Sequence, residues 1–237
     1  IGRDIVQYKA VEFLGNQNFF WFGYNCPVGC DFLDTWGGGN LSLQVHPDIG
    51  YAQEVFNFPF GHYESYYFLD TSEKSSVYLG TKDGVKKEEL VKAFKEAQKT
   101  GEFDDEQWIN RFPMKKHDHI YIPSGTIHAS GKDTLVLEIN PIGFQTFKLW
   151  DWGRIDADGK PRPINIDHGE KVIQEKYQTK FVKEHLISKK AEVDRGTGWR
   201  KEHSGTMEYE LLKVDRYWFN KPAFFETKDH VKLHVLV

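Results

Sequence analysis

Apolar and polar positions alternate along NLSLQVHPD, residues 40 to 48, placing Leu43 and Val45 on one side of an extended segment and Gln44 and His46 on the other. The pattern predicts a strand with one face in a core, ended by Pro47, which has no N–H for the ladder. Similar short runs recur at 64–69, 76–80, 119–122, 135–139 and 145–150, separated by turn-forming Gly, Pro, Asp and Ser. The period changes at VKKEELVKAFKEAQK, residues 85 to 99. There Leu90, Val91, Phe94 and Ala97 share a helical face, and Lys and Glu cover the rest as a solvated surface. Gly101 closes this helix, and Asp104 and Asp105 open a shorter one expected to carry Trp108, Ile109 and Phe112, so a helical insertion spans 85–112. Residues 156–160 read as a hairpin-like turn. Residues 168–204 read as a polar surface excursion with one helix at 169–177. Strands return in YELLKVDRYWF and HVKLHVLV, as the start of a following β domain. The aromatic opening, residues 1–36, is too apolar for a tail and should pack as strands or as a lid. The pattern predicts a mainly β protein, a β-sandwich or small barrel interrupted by a small helical insertion.

Composition narrows the class of function. The 237 residues are 39% hydrophobic and 28% charged, ordinary for a soluble globular protein, and aromatics reach 15%, which favours strands. A net charge of −4 with interspersed signs argues against nucleic acid or an anionic membrane as partner. No apolar run approaches the ~18 residues of a membrane span, and a cytoplasmic home is expected. Two cysteines, Cys26 and Cys30 in NCPVGCD, form a local turn; a single CxxxC is neither a zinc framework nor a disulfide scaffold.

Candidate chemistry gathers on the polar side of the first strand. Gln44 and His46 project together, and Glu64 in GHYESYY and His128 in IPSGTIHA are candidates to join them, which would make two nitrogens and two oxygens around one divalent ion. Gly37, Gly38 and Gly39 form a loop before the strand. No helix follows it, so a plain turn is preferred to a phosphate cradle.

These stretches carry a resemblance. LSLQVHPD with Tyr51-Ala52 after it, the Gly-x-x-Glu of GHYE, and IPSGTIHA followed by LVLE resemble, in order and type, the type I phosphomannose isomerases, zinc enzymes of the cupin superfamily. The similarity covers residues 40 to about 160. It implies a jelly-roll cupin β-sandwich or barrel, with residues 1–204 as the metal-binding domain and 205–237 as the start of a second cupin-like domain. It implies one Zn2+ per chain, held by Gln44, His46, Glu64 and His128, other first-row divalent ions being possible. The activity implied is isomerisation of mannose 6-phosphate to fructose 6-phosphate through an enediol, on a small-molecule sugar phosphate. Glu138, Lys148 and Arg154 match the family's catalytic positions, and Ser42 matches a phosphate contact. Glu138 has a plainer alternative, a structural ion pair with Lys148 or Arg154.

Three departures bear on the substrate. His62 stands where the family has lysine in Gly-Lys-x-Glu, Gly37 to Gly39 occupy the neighbourhood of another lysine, and Lys148 replaces an arginine with its planar fork. Either His62 and the glycine N–H groups bind the substrate's phosphate instead, or the protein is a metal cupin isomerase or epimerase for a different sugar. A cupin that binds carbohydrate without turning it over is the non-enzymatic alternative.

Overall fold

A computed structural model describes residues 29–140, 145–204 and 214–222. Two antiparallel sheets make its body. One runs in the order β1 (Gly29–Asp34), β8 (Thr134–Asn140), β3 (Glu64–Thr71) and β6 (His119–Ile122). The other runs β5 (Ile109–Pro113), β4 (Ser76–Thr81), β7 (His128–Ser130), β2 (Leu43–Val45) and β9 (Phe147–Trp150). Tyr66, Phe68, Ile120, Ile122 and Val136 of the first sheet pack with Val77 and Leu79 of the second in one buried cluster, so the sheets face each other.

The period of 2 explains how the second sheet is covered on both sides. Val77 and Leu79 point between the sheets, whereas Tyr78, Leu43, Val45 and Ala129 join a separate cluster on the outer face. The helix Lys87–Thr100 covers that face with Leu90, Val91, Phe94 and Ala97, all buried, as the helical period predicted. Gly101 ends it in the left-handed region (φ 79°), its N–H reaching Ala97 O.

Several elements differ from the sequence pattern. The second helix is only Asp105–Trp108; Ile109 and Phe112 lie in β5, opposite Thr81 and Val77. Pairing with β4 overrides the local capping signal, because a ladder satisfies more backbone groups than one extra turn. Ile49–Phe56 is a helix that no periodicity announced; Asp48 caps it, accepting from Tyr51 N at 2.8 Å, and of its residues only Ala52 is buried. The helix expected at 169–177 is Ile166–Val172. The stretch taken as an excursion contains a hairpin, β10 (Ala191–Gly196) and β11 (Trp199–His203), which with β12 (Asp215–Phe219) makes a three-stranded sheet running across residue 204. Every residue of β10 is exposed, so no apolar alternation marks it. Cys30 sits in β1 opposite Ile139 rather than in a turn. Cys26, the aromatic run at 18–24 and the terminal HVKLHVLV lie outside the described residues. The turn at 156–160 is present, with Asp156 N bonded to Lys160 O at 2.8 Å.

His119 on β6 links the segment 188–204 to the sandwich. Its Nδ1 lies 3.0 Å from Ser188 Oγ and 3.4 Å from Ser204 O, and the ring is 1% exposed. Burial depresses its pKa to about 4, outweighing the Ser204 carbonyl, while His203 and Lys190 push the same way. As pH falls the unfolded chain takes up a proton that the folded one refuses. The stability is therefore complete above about pH 6.5 and is lost on the way down to about 4. A shift of that size corresponds to a loss on the order of 3 kcal/mol. Urea unfolding at pH 7 and pH 4.5 should show this slope, and His119→Gln should reduce it by the His119 share, leaving that of the similarly buried His46. An unchanged slope in the variant would show that the acid sensitivity comes from elsewhere.

Candidate metal centre

The inward face of the second sheet turns polar at one end. Gln44 on β2 pairs with His128 on β7 and with Lys148 on β9, and directly opposed residues share a face. Glu64 begins β3 on the facing sheet, and His46 follows β2. Loop-to-loop hydrogen bonds tie these together: Gly125 N to His46 O and His62 N to Pro47 O, both 2.9 Å, and Ser124 Oγ to His62 O at 2.6 Å. Gly61 is required by this approach, since a Cβ there would lie 2.7 Å from Ile49 N. Gly125 is required by the turn before His128, with φ +84° and a Cβ position 2.7 Å from Val172 O.

The imidazoles are oriented by backbone carbonyls. His128 Nδ1 donates to Thr126 O at 2.9 Å, His46 Nδ1 to Gln145 O at 3.0 Å, and His62 Nδ1 to the same Gln145 O at 3.3 Å. A carbonyl only accepts, so each Nδ1 carries the hydrogen and, in the neutral ring, each Nε2 presents a lone pair. All three Nε2 atoms face Glu64. His46 and His62 lie 2.8 and 2.9 Å from Oε1, and His128 lies 3.3 Å from Oε2. His46 Nε2 and Gln44 Nε2 are each 3.2 Å from His128 Nε2. Turning the Gln44 amide over would aim its oxygen into the cluster instead.

Electrostatics sharpens the point. Burial lowers His46 to about pKa 4, against the pull of Glu64, so it is neutral near pH 7. Burial would raise Glu64, but the facing histidines outweigh it and hold the carboxyl well below its usual range. Wherever these rings are neutral, with the hydrogen on Nδ1, their Nε2 lone pairs meet carboxylate oxygens at contact distance. His62 Nε2 and Glu64 Oε2 have no hydrogen-bond partner at all. Such a cluster is repulsive as it stands and becomes favourable around a cation. The spacing fits, because a tetrahedron with bonds of ~2.0–2.1 Å has edges of about 3.3 Å.

Beside the cluster lie three more polar groups. Glu138 stands between Asp31 of β1 and Tyr66 of β3. Burial and then the Glu64 charge push its pKa up to about 9, and Asn140 Nδ2 donates to its Oε1 at 2.7 Å. The structural ion pair with Lys148 or Arg154 is therefore not formed. Burial and Glu64 also raise Asp31, and Tyr66 is fully buried on the same face. Tyr66 was findable by the two-residue rule, since it follows Glu64 by two. Asp31 and the Gln145 carbonyl left no trace in the pattern.

The remaining sequence candidates separate. Lys148 faces the site and has no ion-pair partner among the described residues. Ser42 is buried two residues before Gln44. Arg154 is bonded to the buried Asp151, which also holds Arg162 at 3.1 Å. His62 lies inside the cluster, buried against Glu64. Gly37 N and Gly38 N already donate to Asp133 Oδ1 and Thr35 O, which supports the plain-turn reading of the glycine loop.

No family model matches the chain. It is 34% identical over 149 residues to the probable mannose-6-phosphate isomerase GmuF of Bacillus subtilis, covering 61% of this chain and 45% of that protein. It is 35% identical over 135 residues to the mannose-6-phosphate isomerase ManA of the same organism, covering 57% and 41%. The chain thus spans less than half the length of these curated relatives. The crystal structure of the mannose 6-phosphate isomerase from Bacillus subtilis superposes with a TM-score of 0.69 at 26% identity, over 89% of this chain and 62% of that one. A zinc-bound mannose 6-phosphate isomerase shares the fold, with a TM-score of 0.53 at 13% identity, over 85% of this chain and 68% of that one. The resemblance carried by QVHP and PSGTIHA is borne out, and the two-sheet body is the cupin β-sandwich. No helix among the described residues is long and apolar enough to cross a membrane.

Proposed function

We propose that this chain carries the metal-binding part of a cytoplasmic, zinc-dependent aldose–ketose isomerase that interconverts mannose 6-phosphate and fructose 6-phosphate through an enediol. The observation that carries the reading is the convergence of Gln44, His46, Glu64 and His128 beside a buried carboxyl, Glu138, that has no ion-pair partner among the described residues. The named activity of the curated relatives supports it.

The reaction moves one proton between C1 and C2 and another between the two oxygens. When bound, the ion supplies a positive centre that polarises those oxygens in the open-chain sugar. Glu138 is the base for the carbon proton. Asn140 holds its Oε1, and the carboxyl, which also contacts Glu64, takes the proton at one carbon and returns it at the next. Its burial makes the carboxylate basic enough to attack a C–H, and positive charge beside Glu64 makes ionisation accessible near neutral pH. Lys148 supplies a cation at the open side, for the phosphate or the enediolate oxygens. Ser42 donates from the same face. Arg154 can exchange Asp151 for a substrate anion, because Arg162 keeps Asp151 paired.

A second reading has a specific observation in its favour. His62 lies buried against Glu64, and Gly37 and Gly38 have no N–H to spare, so the phosphate grip rests largely on Lys148. A metal cupin isomerase for an unphosphorylated or otherwise modified sugar would have that profile. Incubating zinc-loaded protein with mannose 6-phosphate, and separately with mannose, decides between them. Formation of fructose 6-phosphate is expected. Turnover of mannose alone would favour the second reading, and metal binding with no turnover of either would leave a carbohydrate-binding module.

A further inference from the structure

The geometry points to His62 as a further ligand of the ion, making a centre of three imidazoles and one carboxylate with Gln44 beside them; the inference rests on the metal-site reading above. His62 is 4% exposed, and its Nε2, without a hydrogen-bond partner, lies 2.9 Å from Glu64 Oε1. Its ring lies against that of His46, centroids 3.8 Å apart and planes 34° apart. Both rings hang by Nδ1 from one acceptor, Gln145 O, whose two lone pairs serve both. One carbonyl therefore sets the tautomer of two imidazoles and aims both Nε2 lone pairs at the same carboxylate oxygen. Hydrogen bonding of the second ring nitrogen is the usual way a ligating histidine is oriented. The ligand atoms of His46, His62 and Glu64 all lie within 4.8 Å of one another, and His128 joins them through Glu64 Oε2 at 3.3 Å and His46 Nε2 at 3.2 Å.

A group so enclosed is not a phosphate contact. It sits between Glu64 and His46, its backbone is clamped on both sides by Pro47 O and Ser124 Oγ, and little of it meets solvent. Glu64 is bracketed, with His46 and His62 on Oε1 and His128 on Oε2. Adding His62 to the four groups already described gives five donors. Zinc can expand from four donors to five, and manganese, iron, cobalt and nickel accept five or six.

The test counts imidazoles. X-ray absorption on the full chain loaded with zinc, and again with cobalt, should show three imidazoles per ion in the wild type and two in His62→Ala. Competition with a chelator should show ion affinity falling by at least the ~10–100-fold that loss of even a supporting partner costs. Two imidazoles in the wild type overturn the assignment without need of any variant, which covers a His62→Ala protein that does not fold. An ion lost in His46→Ala but held with unchanged affinity in His62→Ala overturns the role of His62 and leaves the metal site intact. A wild-type protein that holds no ion overturns both.

Discussion

Replacing His128 by alanine is expected to strip the ion from the protein and to lower isomerase turnover by at least about 10³-fold, the rate equivalent of several kcal/mol of lost charge stabilisation. His128 Nε2 is the node of the cluster, 3.2 Å from both Gln44 Nε2 and His46 Nε2 and 3.3 Å from Glu64 Oε2. Its removal takes away the imidazole that faces Glu64 Oε2. The strand should survive, because the pairing of β7 with β2 and β4 is made by backbone groups. Metal content by mass spectrometry, far-ultraviolet circular dichroism and the coupled isomerase assay together separate loss of ion from loss of fold. A folded variant retaining one tightly bound ion per chain would sink the assignment of this cluster.

Glu138→Gln should behave differently. The amide has the same shape, its oxygen can still accept from Asn140 Nδ2, and it needs no desolvation of a charge. Ion content and KM should therefore hold close to wild type, while kcat falls by about 10²–10⁴, the usual worth of a positioned acid or base. Removing an ionisable group beside Glu64 should also leave the protein no less stable above pH 7. Burial lifts Glu138 to a pKa of about 9, so the unfolded chain releases its proton at lower pH than the folded one and stability drains away as pH rises towards that value. If kcat is unaffected, Glu138 is a packing residue and the proton is moved by another group.

Parts of this molecule could be read along the chain because they obey one local period. Leu43 and Val45 went to the outer core and Gln44 and His46 to the pocket because a strand alternates. Leu90, Val91, Phe94 and Ala97 were buried because a helix repeats every 3.6 residues. Other parts had no such mark. Ile109 and Phe112 followed a helix-capping aspartate and still became strand, since their partners Thr81 and Val77 are some 30 residues away and only the folded sheet presents them. The β10 hairpin carries polar residues on both faces, so periodicity had nothing to detect.

For the site the division follows the same physics. The two-residue period nominated Gln44 and His46 as a pair, residue chemistry made Glu64 and His128 candidates to join them, and the family resemblance supplied the full set. Tertiary structure alone decided that His62 lies within the cluster, that Gln145 lends its carbonyl to two imidazoles, that Asp151 engages Arg154, and that burial beside Glu64 raises the pKa of Glu138. Each of these depends on distances between segments far apart in the chain and on how much water remains between them. A one-dimensional pattern encodes neither.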